Sequence, residues 1–162
     1  MELKVDTPIE AIRSWLHAQV LVMQKHQPDC RHASFAEFLL AHGREFRIPP
    51  AREDGLNNKT CYANAQRLVG EHPRKLIYCE GLAVPARTGS PVDHAWCVSR
   101  QGWVLDPTWD DGLAYFGVPI KLSFVLASQG HRTECSIIDN WEHGYPIYQL
   151  SPRRWKADLG AV

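Results

Sequence analysis

The stretch KLIYCEGLAVPARTGSPVDHAWCVSRQGWVLDPTW, residues 75–109, constrains the fold more than any other part of the chain. KLIYCEGLAV reads as a strand and ARTGSPVD as a loop. HAWCVS alternates like a strand, RQG has the composition of a turn, and WVLDPTW reads as a second strand stopped by Pro107. Just upstream, Thr60 is an acceptable N-cap for a helix whose face carries Cys61, Ala65, Leu68 and Val69 and which ends at Gly70. A helix followed by an antiparallel sheet is an α+β pattern.

The flanking segments fit around this centre as one domain, residues 1–162: a helical part over 1–47, a core over 57–109, and further strands and short helices over 110–162. Thr7-Pro8-Ile9-Glu10 combines an N-cap threonine, a proline at the first helical position and a capping-box glutamate. Ile9, Ile12, Leu16, Val20 and Met23 then recur at three- and four-residue steps until Gln27-Pro28. Ser34 and Glu37 form a second capping box before FAEFLLAH, with Gly43 as the expected C′ stop. The stretch from Ile48 to Asn58 is punctuated by proline and asparagine and reads as a loop. AYFGVPI, SFVLAS, SIIDNW and YPIYQL are short apolar runs separated by Gly, Pro and Asn. His17, His26, His32 and His42 share no spacing that suggests a site.

Eighteen basic and eighteen acidic residues cancel, which argues against a nucleic-acid partner. No run approaches the about 20 apolar residues of a membrane span, so no membrane partner is expected. The N-terminus MELKVDTPIE has no apolar signal core. The five cysteines, Cys30, Cys61, Cys79, Cys97 and Cys135, are irregularly spaced without a CxxC pair, which fits reduced thiols in a cytoplasm.

Cys61 at the first turn of a helix is placed where unpaired N–H groups and the helix dipole stabilise a thiolate. The same N–H groups can hold the oxyanion of an attacked carbonyl. His94 opens the strand HAWCV, and Asp106 follows twelve residues later. If Arg100-Gln101-Gly102 is a three-residue hairpin loop, Ser99 faces Trp103, and Asp106 falls opposite Trp96 and diagonal to His94 on one sheet face. A two-residue loop at Gln101-Gly102 would turn Asp106 to the other face. An imidazole held by a carboxylate is the base and orienter that a thiol nucleophile needs.

In this order, Cys at a helix start, H-A-W-x-V, then G-W-V-L-D-P-T resembles the catalytic core of the transglutaminase-like branch of papain-like cysteine enzymes. The resemblance spans about residues 57–109. It implies a papain-like, transglutaminase-like core in which the nucleophile helix packs on an antiparallel sheet. It further implies Cys61 as nucleophile, His94 as base and acid, and Asp106 as orienter. Trp96 and Trp103 would pack around the site, and with Trp109 they are candidates for a substrate groove. Asn57 or Asn58, in the loop before Cys61, would supply an oxyanion donor. No cofactor and no metal are implied.

A thiolate–imidazole pair attacks an acyl carbon, and the acceptor then names the enzyme. Water makes it a peptidase, amidase or glutamine deamidase; an amine makes it a transglutaminase or N-acyltransferase. A small chain without an acidic calcium loop points to hydrolysis of an amide or peptide bond, with a protein, peptide or amide substrate. Two other classes compete. A metal site could combine Cys61, His94 and Asp106 with His131 and Cys135, or the fold could serve as a non-catalytic binding protein. Cys79 and Cys97 read as core thiols, with Cys97 turned away from His94 by strand alternation.

Overall fold

A computed structural model of the protein describes residues 7–22, 30–52, 55–56, 58–130 and 135–160. Met23, His26, Asn57 and His131 lie outside the described residues. The chain is α+β. Helices α1 (Pro8–Val22) and α2 (Phe35–His42) lead to strand β1 (Arg44–Glu45). Helix α3 (Cys61–Glu71) precedes β2 (Leu76–Pro85), β3 (Val92–Ser99), β4 (Val104–Leu105) and β5 (Gly112–Ile120). Helix α4 (Leu122–Gln129), a 3-10 turn at Trp141–His143 and the single-turn helices α5 (Pro146–Gln149) and α6 (Pro152–Trp155) complete it.

The N-terminal caps form as their sequence requires. The Thr7 N–H donates to Glu10 Oε2 at 2.8 Å, and the Glu37 N–H donates to Ser34 Oγ at 3.2 Å. Gly43 ends α2 differently from expectation. Its backbone is extended rather than left-handed. A Cβ there would stand 2.5 Å from Leu39 O and 2.6 Å from the Phe116 ring, so close approach is what demands glycine. Of the last apolar runs, SFVLAS lies in a helix, α4, and YPIYQL contains the short α5.

The five strands are antiparallel in the order β1-β5-β2-β3-β4. The segment after β1 then reaches the far edge. The Arg47 N–H donates to Gly102 O, the Val104 N–H donates to Arg47 O, and Phe46 still donates to Tyr115 O. One short segment thus bridges both edges, and the sheet curls around an inner core of Phe46, Ile77, Cys79, Trp96, Val98 and Tyr115. Its outer face carries Tyr78, Leu82, Val84, Ala95, Cys97 and Val118 beneath α1, α2 and α3. Helix α3 buries Ala65 and Val69 there, and the Cys97 thiol lies 3.3 Å from Ala65 O. No helix among the described residues is long and apolar enough to cross a membrane.

At the end of α2, His32 and His42 meet Nε2 to Nε2 at 2.8 Å, packed against Phe38 and, from His42, Trp155. Burial first, then the charges of His32 and Lys156, lower His42 from 6.5 to about 4, and His32 is lowered as well. Between those limits the unfolded chain binds the proton more readily, so this pair removes stability as pH falls from about 6.5 towards 4. The His42→Phe variant is expected to lose less thermal stability than the native chain between pH 7 and pH 5, measured by circular dichroism melts at both values.

Candidate functional site

The β3–β4 turn sets the site. Ser99 and Trp103 face each other, with the Ser99 N–H donating to Trp103 O at 2.8 Å. Cys97 pairs with Leu105 and Val98 with Val104, and Gly102 takes φ 82°, a backbone region that suits glycine. The loop is therefore the three-residue Arg100-Gln101-Gly102, and Asp106, the residue after β4, falls by this register opposite Trp96 and diagonal to His94.

His94 is fully buried, and its Nε2 meets Asp106 Oδ2 at 2.7 Å. The carboxylate holds still because donors surround it. Oδ2 also accepts the Tyr115 hydroxyl at 2.8 Å, and Oδ1 accepts the N–H groups of Thr108 at 2.8 Å and Trp109 at 3.1 Å. The Asp-Pro-Thr-Trp run thus folds into a turn over its own aspartate. Trp109 lies flat on the imidazole, centroids 3.5 Å apart, and Arg87 covers its other face at 4.5 Å. Opposite His94 in the sheet stands Gly81. A Cβ at Gly81 would fall 2.3 Å from Phe116 O, so no other residue fits between β2 and β5 at that point. His94 Nδ1, the other ring nitrogen, is buried and has no hydrogen-bond partner.

Cys61 reaches the edge of β3 because β4 is short. The Ser99 bond shows that odd-numbered residues of β3 direct their N–H groups towards β4, and β4 ends opposite Cys97. The next such N–H, that of Ala95, is left uncovered and bonds to the Cys61 sulfur, as does the Tyr62 N–H. The start of α3 is laced to the loop after Asp106. Asn64 Nδ2 donates to Thr108 Oγ1 at 2.9 Å and to Asn58 Oδ1 at 2.8 Å, and the Leu56 N–H donates to Pro107 O at 3.0 Å.

Thr60 does not cap α3 with its side chain; its hydroxyl and N–H go to Asn58 Oδ1. Asn58 is therefore a brace whose side-chain carbonyl is committed. The expectation of a thiol lowered by the helix start is reversed. Burial raises Cys61, the Ala95 and Tyr62 N–H groups oppose it, and the charges of Glu80 and Asp106 raise it further. Trp96 is also corrected as a groove residue, because it is fully buried in the inner core. Trp103 and Trp109 do line a cavity of about 620 Å³ that reaches Asp106 and Tyr115. A smaller cavity of about 220 Å³ opens beside His94 and Tyr62.

Glu80 is the charged residue that sequence reasoning missed. It is 2% exposed, yet both its oxygens are satisfied. Oε1 accepts from the Tyr78 hydroxyl at 2.5 Å and Ile137 N at 2.6 Å; Oε2 accepts from Ser136 Oγ at 2.8 Å and Ile138 N at 3.0 Å. Burial still raises its carboxyl above the ordinary range. The available signal was a lone acidic residue inside the apolar run LIYCEGLAV. Cys79 and Cys97 are buried thiols pushed well upward by burial. Among the described residues, no group of three or more His, Cys, Asp or Glu side chains could hold a metal ion.

No family model, no curated protein and no solved structure matches the chain.

Thr108 is fully buried, and Asn64 supplies a donor to its hydroxyl. Asn64→Leu keeps the bulk and removes that donor, and is expected to cost about 1–3 kcal/mol, read as a lower urea midpoint with an unchanged slope.

Proposed function

We propose that the protein is a cysteine-dependent hydrolase of an amide or peptide bond, with Cys61 as nucleophile, His94 as base and acid, and Asp106 as orienter. The carrying observation is the division of labour on one imidazole. Nε2 is held by Asp106 at 2.7 Å, while the buried Nδ1 has no hydrogen-bond partner, and the Ala95 N–H, on the residue next to His94, bonds to the Cys61 sulfur. A papain-like, transglutaminase-like core is the architecture this reading implies.

Attack on the acyl carbon and loss of the thiol proton to the base are coupled in the first step. The sulfur forms a bond to the acyl carbon as its proton passes to Nδ1, giving imidazolium next to the Asp106 carboxylate. First-turn N–H groups of α3, which have no intrahelical acceptors, stabilise the oxyanion. On collapse the C–N bond breaks and the amine leaves with the Nδ1 proton, leaving a thioester on Cys61. Water then gives one proton to Nδ1 and its oxygen to the carbonyl. The S–C bond breaks, the acid departs, and the proton returns to sulfur.

Reactivity towards iodoacetamide tests this without knowledge of the substrate. Cys30 and Cys135 are partly exposed, like Cys61, and serve as internal standards. At pH 7.5, peptide mass spectrometry is expected to find Cys61 alkylated first. His94→Ala should slow it by at least about tenfold while leaving Cys30 and Cys135 unchanged. Asp106→Asn should slow it by a smaller factor. Equal rates at Cys61 and Cys135, untouched by His94→Ala, would sink the proposal.

A further inference from the structure

The outer edge of β4 carries an interrupted row of main-chain bonds. The Arg47 N–H donates to Gly102 O and the Val104 N–H to Arg47 O, the pattern of a parallel bridge between Arg47 and Trp103. Two residues further along, that pattern needs the N–H of residue 49 for Val104 O and its carbonyl for the Asp106 N–H. Residue 49 is proline, which has no N–H, and the pairing ends there. The outer chain returns to this edge at Leu56, whose N–H donates to Pro107 O at 3.0 Å. Between the two points, Val104 O and the Asp106 N–H face away from β3, because the odd-numbered residues of β4 bond to β3. Among the described residues neither group has a hydrogen-bond partner.

This gap opens on the larger cavity, of about 620 Å³. Trp103, Val104, Leu105, Asp106 and Pro107 all border it. Side chains of a strand alternate between two faces, so five successive residues meet one space along the strand's edge. Asp106 is partly exposed although its side chain is only 3% exposed, so its accessible part is main chain. We infer that this cavity is a binding site for a planar heterocycle carrying a hydrogen-bond donor beside an acceptor on one edge. The donor meets Val104 O and the acceptor meets the Asp106 N–H, so the ring edge stands in for the missing neighbour residue. The volume lies within the range of whole-ligand pockets. Leu56, Leu68, Trp103 and Trp109 supply apolar surface for the ring faces. Neither Cys61 nor His94 borders this cavity, so the site stands or falls apart from the proposed hydrolase.

The probes are 7-azaindole, which presents an N–H beside a ring-nitrogen acceptor, and indole, which has the same shape and the N–H but no acceptor. Each is titrated into the full chain and followed by ¹H–¹⁵N correlation spectra. Azaindole should shift the amides of Val104, Leu105 and Asp106 saturably. Indole should bind about fivefold more weakly, the effect of one hydrogen bond left unmade at the Asp106 N–H. Ala51 is an exposed residue of the cavity wall, so Ala51→Trp adds bulk there without disturbing the core. That variant should keep a native spectrum and lose saturable azaindole binding. No saturable shift at these amides, equal affinity for indole, or undiminished binding in Ala51→Trp overturns the site.

Discussion

The Asp106 carboxylate is the point on which the rest of the site depends. Four donors converge on it: the His94 ring, the Tyr115 hydroxyl and two backbone N–H groups of its own turn. Three of those donors come from the chain around Asp106 and β5, so the carboxylate is fixed before it meets the imidazole. It is a buried acceptor with every lone-pair direction used, which lets an anion exist inside the protein without unfolding it. His94 is then doubly constrained, by the bond at Nε2 and by Trp109 stacked on its face, with Arg87 behind. A ring so held presents its second nitrogen in one direction.

The second constraint is the length of β4. With two residues, it covers β3 as far as Cys97 and stops. Two residues more of pairing, as far as Pro107, would consume the Ala95 N–H, and the start of α3 would lose the contact that brings its sulfur to the edge of β3. Pro107 is what halts the strand, since proline cannot extend the ladder. The same Asp-Pro-Thr-Trp segment thus ends β4, satisfies Asp106 and supplies the Thr108 hydroxyl to which Asn64 of α3 is tied. A short stretch of sequence performs three structural jobs, and together they tie the start of α3 to the edge of β3.

How much of this was legible in the sequence follows from how local each cause is. The hairpin register could be narrowed to two cases because Arg100-Gln101-Gly102 permits a left-handed glycine, and the three-residue case is the one formed. The capping boxes at Thr7 and Ser34 are contained in four residues and appear as expected. Gly43 misled because its need for a bare Cα comes from Phe116, far along the chain, rather than from a left-handed turn. SFVLAS and YPIYQL are apolar runs too short for a period to separate strand from helix. Three of the four donors to Glu80 lie more than fifty residues downstream, so the pattern in LIYCEGLAV did not announce them. For the same reason the direction of the Cys61 shift could not be read from its helix position. The helix start lowers a thiol, but burial and the nearby charges of Glu80 and Asp106 outweigh it.

The account turns on the two nitrogens of one ring differing, Nε2 bonded to Asp106 and Nδ1 left without a hydrogen-bond partner. Long-range ¹H–¹⁵N correlation spectra of His94 near pH 7 read each nitrogen directly. The account predicts a proton held on Nε2, kept there by Asp106, and an Nδ1 resonance that moves when Cys61 is replaced by alanine. A neutral ring carrying its proton on Nδ1, with both nitrogens unchanged by Cys61→Ala, would contradict it.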